Sequence, residues 1–228
     1  MAKTKLKKFA EINSFSNVIQ PEAHYDLTHF DLRGRWRDGF FGNSCPIVLE
    51  IGCGKGEYTI GLAKANPGIN FIGIDIKGDR IWKGAKQALD EGLYNVAFLR
   101  IQAENIATFF GQDEVNGIWL TFPDPQPRKT RQRKRLTSPV FINRYRQILS
   151  QGAPIHLKTD DAALFAYTLE VIQQDEHTLI AATQDLYGKP IPGEPIAKEI
   201  QTYYENKFLE KGLPIHYLKF SLHDQKNT

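Results

Sequence analysis

Cysteine is scarce in this chain: 228 residues hold two, Cys45 and Cys53, eight positions apart. Two cysteines make no disulfide framework at this length, and their spacing matches no zinc pattern. The six histidines are scattered without ligand spacing, so no metal is expected. No apolar run approaches the ~18 residues of a membrane helix. The Lys-rich start lacks the apolar core of a signal peptide. Internal repeats and low-complexity tracts are missing too, and the net charge is only +3. The expectation is a cytoplasmic protein with no membrane association, either a monomer or a homodimer.

The charge that is present is unevenly spread. Lys3, Lys5, Lys7 and Lys8 crowd the N-terminus, and Arg128, Lys129, Arg131, Arg133, Lys134 and Arg135 crowd one central segment. Basic clusters on a near-neutral chain suit a polyanionic partner. With 41% apolar residues, one well-buried domain is the default.

Residues 1–44 are polar and interrupted by Pro21, Gly34, Gly39 and Gly42. They read as a partly mobile arm with apolar anchors such as Trp36 and Phe40. From residue 45 to 228 a single domain is expected. "PIVLEIG" reads as a buried strand, "EYTIGLAKANP" as a helix ended by Pro67, and "NFIGID" as a second strand. A helix from Asp79 to Gly92 follows, then strands in "NVAFLRIQA" and "NGIWLTFPD". Ser138 caps an amphipathic helix that Gly152 closes. "PIHLKTD" is a fifth strand, and "DAALFAYTLEVIQQ" a helix. "TLIAATQDLY" and "IHYLKFSL" are two more strands, joined by a long polar insert. Strands alternating with helices imply an α/β fold with a mainly parallel sheet covered on both faces.

The turn "EIGCGKGE" sets Gly52, Gly54 and Gly56 between a buried strand and a helix. Glycines there permit positive φ and close approach of a ligand beside a helix N-terminus. The spacing is neither the dinucleotide fingerprint nor a P-loop. Glu50 ends the strand just before this loop, where its carboxylate would repel a pyrophosphate. A ligand with positive charge on its non-nucleoside end and no phosphate suits the position, and S-adenosylmethionine fits. Asp75 ends the second strand about twenty residues on, the position from which a carboxylate takes ribose hydroxyls. Gln102, at the end of the third strand, is set to reach the adenine. Cys53 reads as a small residue filling the turn.

The fourth strand runs into "TFPDPQP". Pro123, Pro125 and Pro127 restrict φ around Asp124 and disfavour helix. A carboxylate fixed at the same sheet edge as Glu50 and Asp75 suits preorganised catalysis.

Together, "PIVLEIGCGKGEYTIGLAKANPGINFIGID", "FPDPQPRKTRQRKRLT", "IHLKTD" and "TYYENKF" resemble the tRNA (guanine-N7-)-methyltransferase family, in order and at compatible spacings from about residue 40 onward. The resemblance implies a class I methyltransferase (Rossmann-like) fold with a seven-stranded sheet. It implies methyl transfer from S-adenosylmethionine to a guanine N7 in the tRNA variable loop, position 46 in tRNA convention. The family's cofactor positions fall on Glu50, Asp75, Gln102 and Asp124, beside the loop glycines Gly52 and Gly54. Its catalytic position falls on Asp124 as well. Its tRNA-contacting positions fall on Arg128, Asp160, Thr202, Tyr203, Tyr204 and Glu205. The chain departs from the family's pattern in four places. Gln126 stands for the usual Trp, Arg128 for Lys, Arg131 for His, and Gln102 for Asp or Asn.

The chemistry suits these residues. Guanine N7 carries an unprotonated in-plane lone pair, so alignment and tolerance of a moving positive charge matter more than a strong base. Six cations within eight residues can follow an RNA backbone, where phosphate contacts give affinity and not base identity. Asp160 could accept from the guanine N1–H and amino edge. The hydroxyls and rings of "TYYENKF" suit an unstacked base. Three rivals carry less support. An adenine N6 methyltransferase would need an aromatic where "DPQP" has none. Glu50 disfavours an NAD-dependent oxidoreductase, and intact Glu50, Asp75 and Asp124 disfavour a non-catalytic tRNA-binding protein.

Overall fold

The structure is a computed structural model that describes residues 2–21, 30–189, 191 and 195–223, with side chains from residue 6. Short apolar runs form its central strands: β2 (Ile47–Ile51), β3 (Asn70–Ile74), β4 (Val96–Leu99) and β5 (Gly117–Thr121). All four are parallel and almost wholly buried, because helices cover both faces of such a sheet. In β2, Ile47, Leu49 and Ile51 face one apolar core while Val48 packs against the other. That is the period of two expected of a strand.

Between the strands run α2 (Glu57–Ala65) and α3 (Gly78–Asp90). The short α4 (Ile106–Phe109) precedes β5, and α5 (Pro139–Arg146) follows it, with the Ser138 hydroxyl accepting from the Phe141 amide. Then come β6 (Pro154–Thr159) and α6 (Ala162–Gln174). β7 (Thr178–Thr183) and β8 (His216–Ser221) run antiparallel to each other, and β8 is antiparallel to β6. The polar insert between them holds two short helices, α7 (Ile196–Glu199) and α8 (Tyr203–Leu209). Pro190 and residues 192–194, also read as part of that insert, lie outside the described residues.

One strand was not expected. Val18 and Ile19 form β1, which pairs in parallel with Phe98 and Leu99 of β4 at the sheet edge. The described sheet therefore has eight strands, in the order β1-β4-β3-β2-β5-β6-β8-β7. Two residues carry no periodicity, so no pattern could reveal this strand. The first helix, α1 (Ala2–Ile12), lies against α3. Lys8 sits over the Trp82 ring, and Glu11 accepts from the Trp82 indole at 3.1 Å. Trp36, expected as an anchor, is fully buried against Phe110, with its indole donating to the Phe109 carbonyl. Residues 22–29, also read as arm, lie outside the described residues.

The strand order reverses between β2 and β5. In an open α/β sheet, the crevice at the carboxyl ends beside such a reversal is where ligands bind. Glu50 is the penultimate residue of β2, and the other candidate residues up to Asp160 lie in the segments that follow β2, β3, β4, β5 and β6.

Candidate functional site

Gly52, Gly54 and Gly56 all adopt left-handed φ, at 82°, 56° and 73°. At Gly56 a Cβ would meet the Phe98 ring at 2.7 Å and the Gly84 Cα at 3.2 Å, so close packing as well as φ requires glycine there. The Gly54 amide donates to Asp75 Oδ2 at 3.0 Å, and the Lys77 amide donates to Oδ1 at 2.8 Å. Asp75 thus ties the loop after β2 to the end of β3 while its carboxylate borders the cleft.

Glu50 is 3% exposed, and the Thr59 and Thr121 hydroxyls each donate to one of its carboxylate oxygens. Burial pushes its pKa up to about 7 against those hydrogen bonds, with Asp75 adding a smaller push upward. Neither threonine was singled out in the sequence. Thr121 ends the neighbouring strand and Thr59 lies nine residues on, so only the fold brings them to Glu50. Burial also raises the Cys53 thiol well above its ordinary range.

A cleft of about 830 Å³ opens over these strand ends. Asp75, Gln102, Asp124 and Asp160 line it, together with Arg80. Gln102 precedes a short 3₁₀ turn and is exposed. A smaller recess of about 120 Å³ adjoins, lined by Glu50, Gly52, Gly54 and Tyr203. Phe122, Tyr204 and Arg80 border both spaces. The recess carries Glu50 and Glu57 together with Lys55 and Arg80, while Asp75, Glu104, Asp124, Asp160 and Asp161 give the larger cleft an excess of carboxylates over Arg80 and Lys134.

Asp124 sits on the turn after β5, exposed, with Oδ1 accepting from the Gln126 amide at 2.9 Å. Two non-glycine residues around it, Phe122 (φ 49°) and Gln126 (φ 45°), are left-handed. Each such conformation costs about 1–3 kcal/mol and persists only where surroundings enforce it. Here the Phe122 amide donates to the Lys158 carbonyl at 2.7 Å, and the Arg135 guanidinium donates to the Pro125 and Gln126 carbonyls.

The basic run is not uniform. Arg128, Lys129, Arg131, Arg133 and Lys134 are exposed, most of them on a 3₁₀ helix over Lys129–Lys134. Arg135 is buried, at 6% exposure. The expectation of six RNA-facing cations is therefore corrected to five. A run of like charges has no period from which the inward member could be picked.

Asp160 and Asp161 divide the labour after β6. Asp161 caps α6 by accepting from the Leu164 amide at 2.6 Å. Asp160 is left at the cleft, and burial raises its pKa. The insert behaves less simply than expected. Tyr203 and Tyr204 are exposed at the cleft rim, and the Tyr203 amide donates to Glu57 at 2.9 Å. Thr202 and Glu205 instead form a capping box at the start of α8. The Glu205 carboxylate, expected to face RNA, points inward and is fully buried. It pairs with the buried Lys158 ammonium at 2.7 Å and accepts from the Tyr187 hydroxyl at 2.7 Å. Lys158 spends its remaining donors on the Ala197 and Ile200 carbonyls. Among the described residues no group of three His, Cys, Asp or Glu could hold a metal ion, and no helix is long and apolar enough to cross a membrane.

The sheet order and the cleft at its carboxyl edge define a class I methyltransferase fold. A family model described as "Putative methyltransferase" matches residues 44–218. Among solved structures, a 16S rRNA methyltransferase, KamB, superposes with a TM-score of 0.58 at 16% identity, over 78% of this chain and 88% of that one. Such a likeness shows the fold alone. Sequence relatives go further. The chain is 49% identical to the tRNA (guanine-N(7)-)-methyltransferase of Christiangramia forsetii, over 97% of this chain and 99% of the relative. It is 47% identical to that of Bacteroides thetaiotaomicron, over 97% and 87%. The chain belongs to the tRNA (guanine-N(7)-)-methyltransferase family.

Proposed function

We propose that this protein methylates N7 of the variable-loop guanine of tRNA, position 46, using S-adenosylmethionine in the cytoplasm. The observation that carries the reading is Asp124, an exposed carboxylate held by a strained turn at the junction of an acidic cofactor cleft and a run of five exposed cations. When bound, S-adenosylmethionine supplies an electrophilic methyl group on a cationic sulfur. Glu50 and the loop at Gly52 and Gly54 receive the methionine end, Asp75 accepts from the ribose hydroxyls, and Gln102 meets the adenine.

Transfer of that methyl group to the guanine N7 lone pair, with sulfur taking the carbon–sulfur bonding electrons, would move positive charge onto the purine. Asp124 needs no proton for this. It faces the methionine ammonium and the purine, and a fixed carboxylate stabilises cationic charge without reorganising. Arg128 and the other exposed cations grip phosphates. Asp160 accepts from the N1–H and amino edge, while Thr202, Tyr203 and Tyr204 frame the base. Glu205 serves by holding α8 in place.

Labelled S-adenosylmethionine and unmodified tRNA, followed by mapping of the modified nucleotide, test the reading. The label should appear as N7-methylguanine in the variable loop. Label on adenine N6, or none, would overturn it.

A further inference from the structure

Arg135 is the one member of the basic run that cannot meet a phosphate without leaving its place. It is 6% exposed, Nε donates to the Pro125 carbonyl at 2.9 Å, and Nη2 donates to the Gln126 carbonyl at 3.4 Å. Its guanidinium lies 4.2 Å from the centre of the Tyr167 ring of α6. The carbonyls it grips belong to the two residues directly after Asp124, and Gln126 is left-handed. The Gln126 amide in turn donates to the Asp124 carboxylate. A planar fork gripping two successive carbonyls fixes the orientation of a peptide unit, which a single point charge cannot do.

We propose that Arg135 is a positioning residue that holds the Asp124 turn in its productive conformation, anchored by Tyr167, and that it makes no contact with tRNA phosphate. This rests on the reading of Asp124 given above. The turn is clamped at its entry by the Lys158 carbonyl and at its exit by Arg135. Slackness at either end moves the carboxylate, and misplacement of about 1 Å can cost roughly a hundredfold in rate.

Two substitutions separate positioning from phosphate binding. Arg135→Gln removes charge and fork; Arg135→Lys keeps the charge and loses the fork. Single-turnover methylation at saturating cofactor and tRNA should fall roughly ten- to a hundredfold in both. S-adenosylmethionine affinity and the slope of log Kd for tRNA against log salt should stay at wild-type values. A lost phosphate contact would lower that slope by about 0.7–0.9, as Arg133→Gln should do. The double variant Asp124→Asn/Arg135→Lys should be no slower than Asp124→Asn alone, since both act on one group. Should the Gln variant not fold, the Lys variant decides. A Lys variant at wild-type rate, a lowered salt slope, or additive losses in the double variant would overturn the assignment. Asp124→Asn at wild-type rate would instead remove the reading of Asp124 itself, whatever the Arg135 variants do.

Discussion

The two sides of the cleft fix their carboxylates by opposite means. On the cofactor side, Glu50 is buried beneath a glycine loop and two threonine hydroxyls. Beside the basic run, Asp124 stays exposed, and proline, left-handed backbone and a buried arginine fix the chain that carries it. Burial makes a carboxylate's charge conditional, because desolvation favours the neutral form. Backbone fixation leaves the charge in water and restrains only its position. On the proposed reading, the first device serves a cationic ligand and the second a moving cation.

The largest effect should come from the joint between the two sides. The buried Lys158–Glu205 pair attaches α8, with its rim tyrosines, to β6, whose Lys158 carbonyl also holds Phe122. Breaking such a pair leaves one charge buried and unpaired, at a cost of about 3–5 kcal/mol. Glu205→Ala should lower Tm sharply and weaken tRNA binding as α8 loosens. Lys158→Met/Glu205→Leu should recover much of the stability, because a neutral pair has no charge to desolvate. Calorimetric Tm values of the three proteins check this. A Glu205→Ala variant of wild-type Tm would make α8 independent of the pair.

Next is Asp124→Asn, which keeps shape and removes charge. Single-turnover methylation should fall by roughly 10²–10³, the scale of one preorganised electrostatic group, with tRNA affinity little changed. At saturating cofactor and tRNA the wild-type rate should be nearly flat from about pH 6 to 9, because guanine N7 needs no deprotonation. A steep rise near pH 7 would mark a general base and erase the contrast with Glu50.

Smaller again is the response of the exposed cations. Neutralising Arg131, Arg133 and Lys134 together should lower the slope of log Kd against log salt by about 2, at somewhat under one per phosphate contact. Cofactor affinity should not change. Filter binding across a salt series would show an unchanged slope if these side chains only face solvent.

How much of this was legible depended on whether a residue's environment follows from its neighbours in sequence. The four central parallel strands were readable because a strand buried on both faces is mostly apolar, and "IVLEI" and "GIWLT" depart from that only at Glu50 and Thr121, beside the site. Gly52, Gly54 and Gly56 punctuate the cofactor turn by the φ values they permit. The proline frame announced a fixed Asp124, but not the left-handed Phe122 and Gln126 beside it, which tertiary clamps enforce. Thr202 and Glu205 did carry a signal, since Thr-x-x-Glu is a capping-box pattern that turns the glutamate back toward the helix start. Lys158 carried one too, as a lysine within a strand at the centre of the fold, where a buried charge needs a partner. Arg135 carried none. Its inward turn is set by Tyr167 and the Pro125 carbonyl, groups distant in the chain or unmarked in sequence.

The smallest effect, and the sharpest test of the two devices, is the pH response of cofactor binding. With its pKa at about 7, Glu50 is neutral in the free protein at pH 6 and charged by pH 8. Because that value lies above the 4.5 of an ordinary glutamate, Glu50 contributes more stability to the unliganded protein on the acid side. That stability is lost as pH rises from about 4.5 through 7. Binding of a cationic ligand needs the charged form, so affinity should run the other way. S-adenosylmethionine affinity should rise by up to roughly tenfold from pH 6 to 7.5, with release of a proton on binding below pH 7. Above that range the ligand's own amino group begins to lose its proton, at an ordinary pKa of about 7.7–8.0, and the rise should stop. Glu50→Gln should bind more weakly and lose the rising limb, while Asp124→Asn should keep it. Titration calorimetry in two buffers of different ionisation enthalpy reads both affinity and proton release. A rising limb that survives in Glu50→Gln would assign the proton to another group and leave burial of Glu50 without a functional consequence.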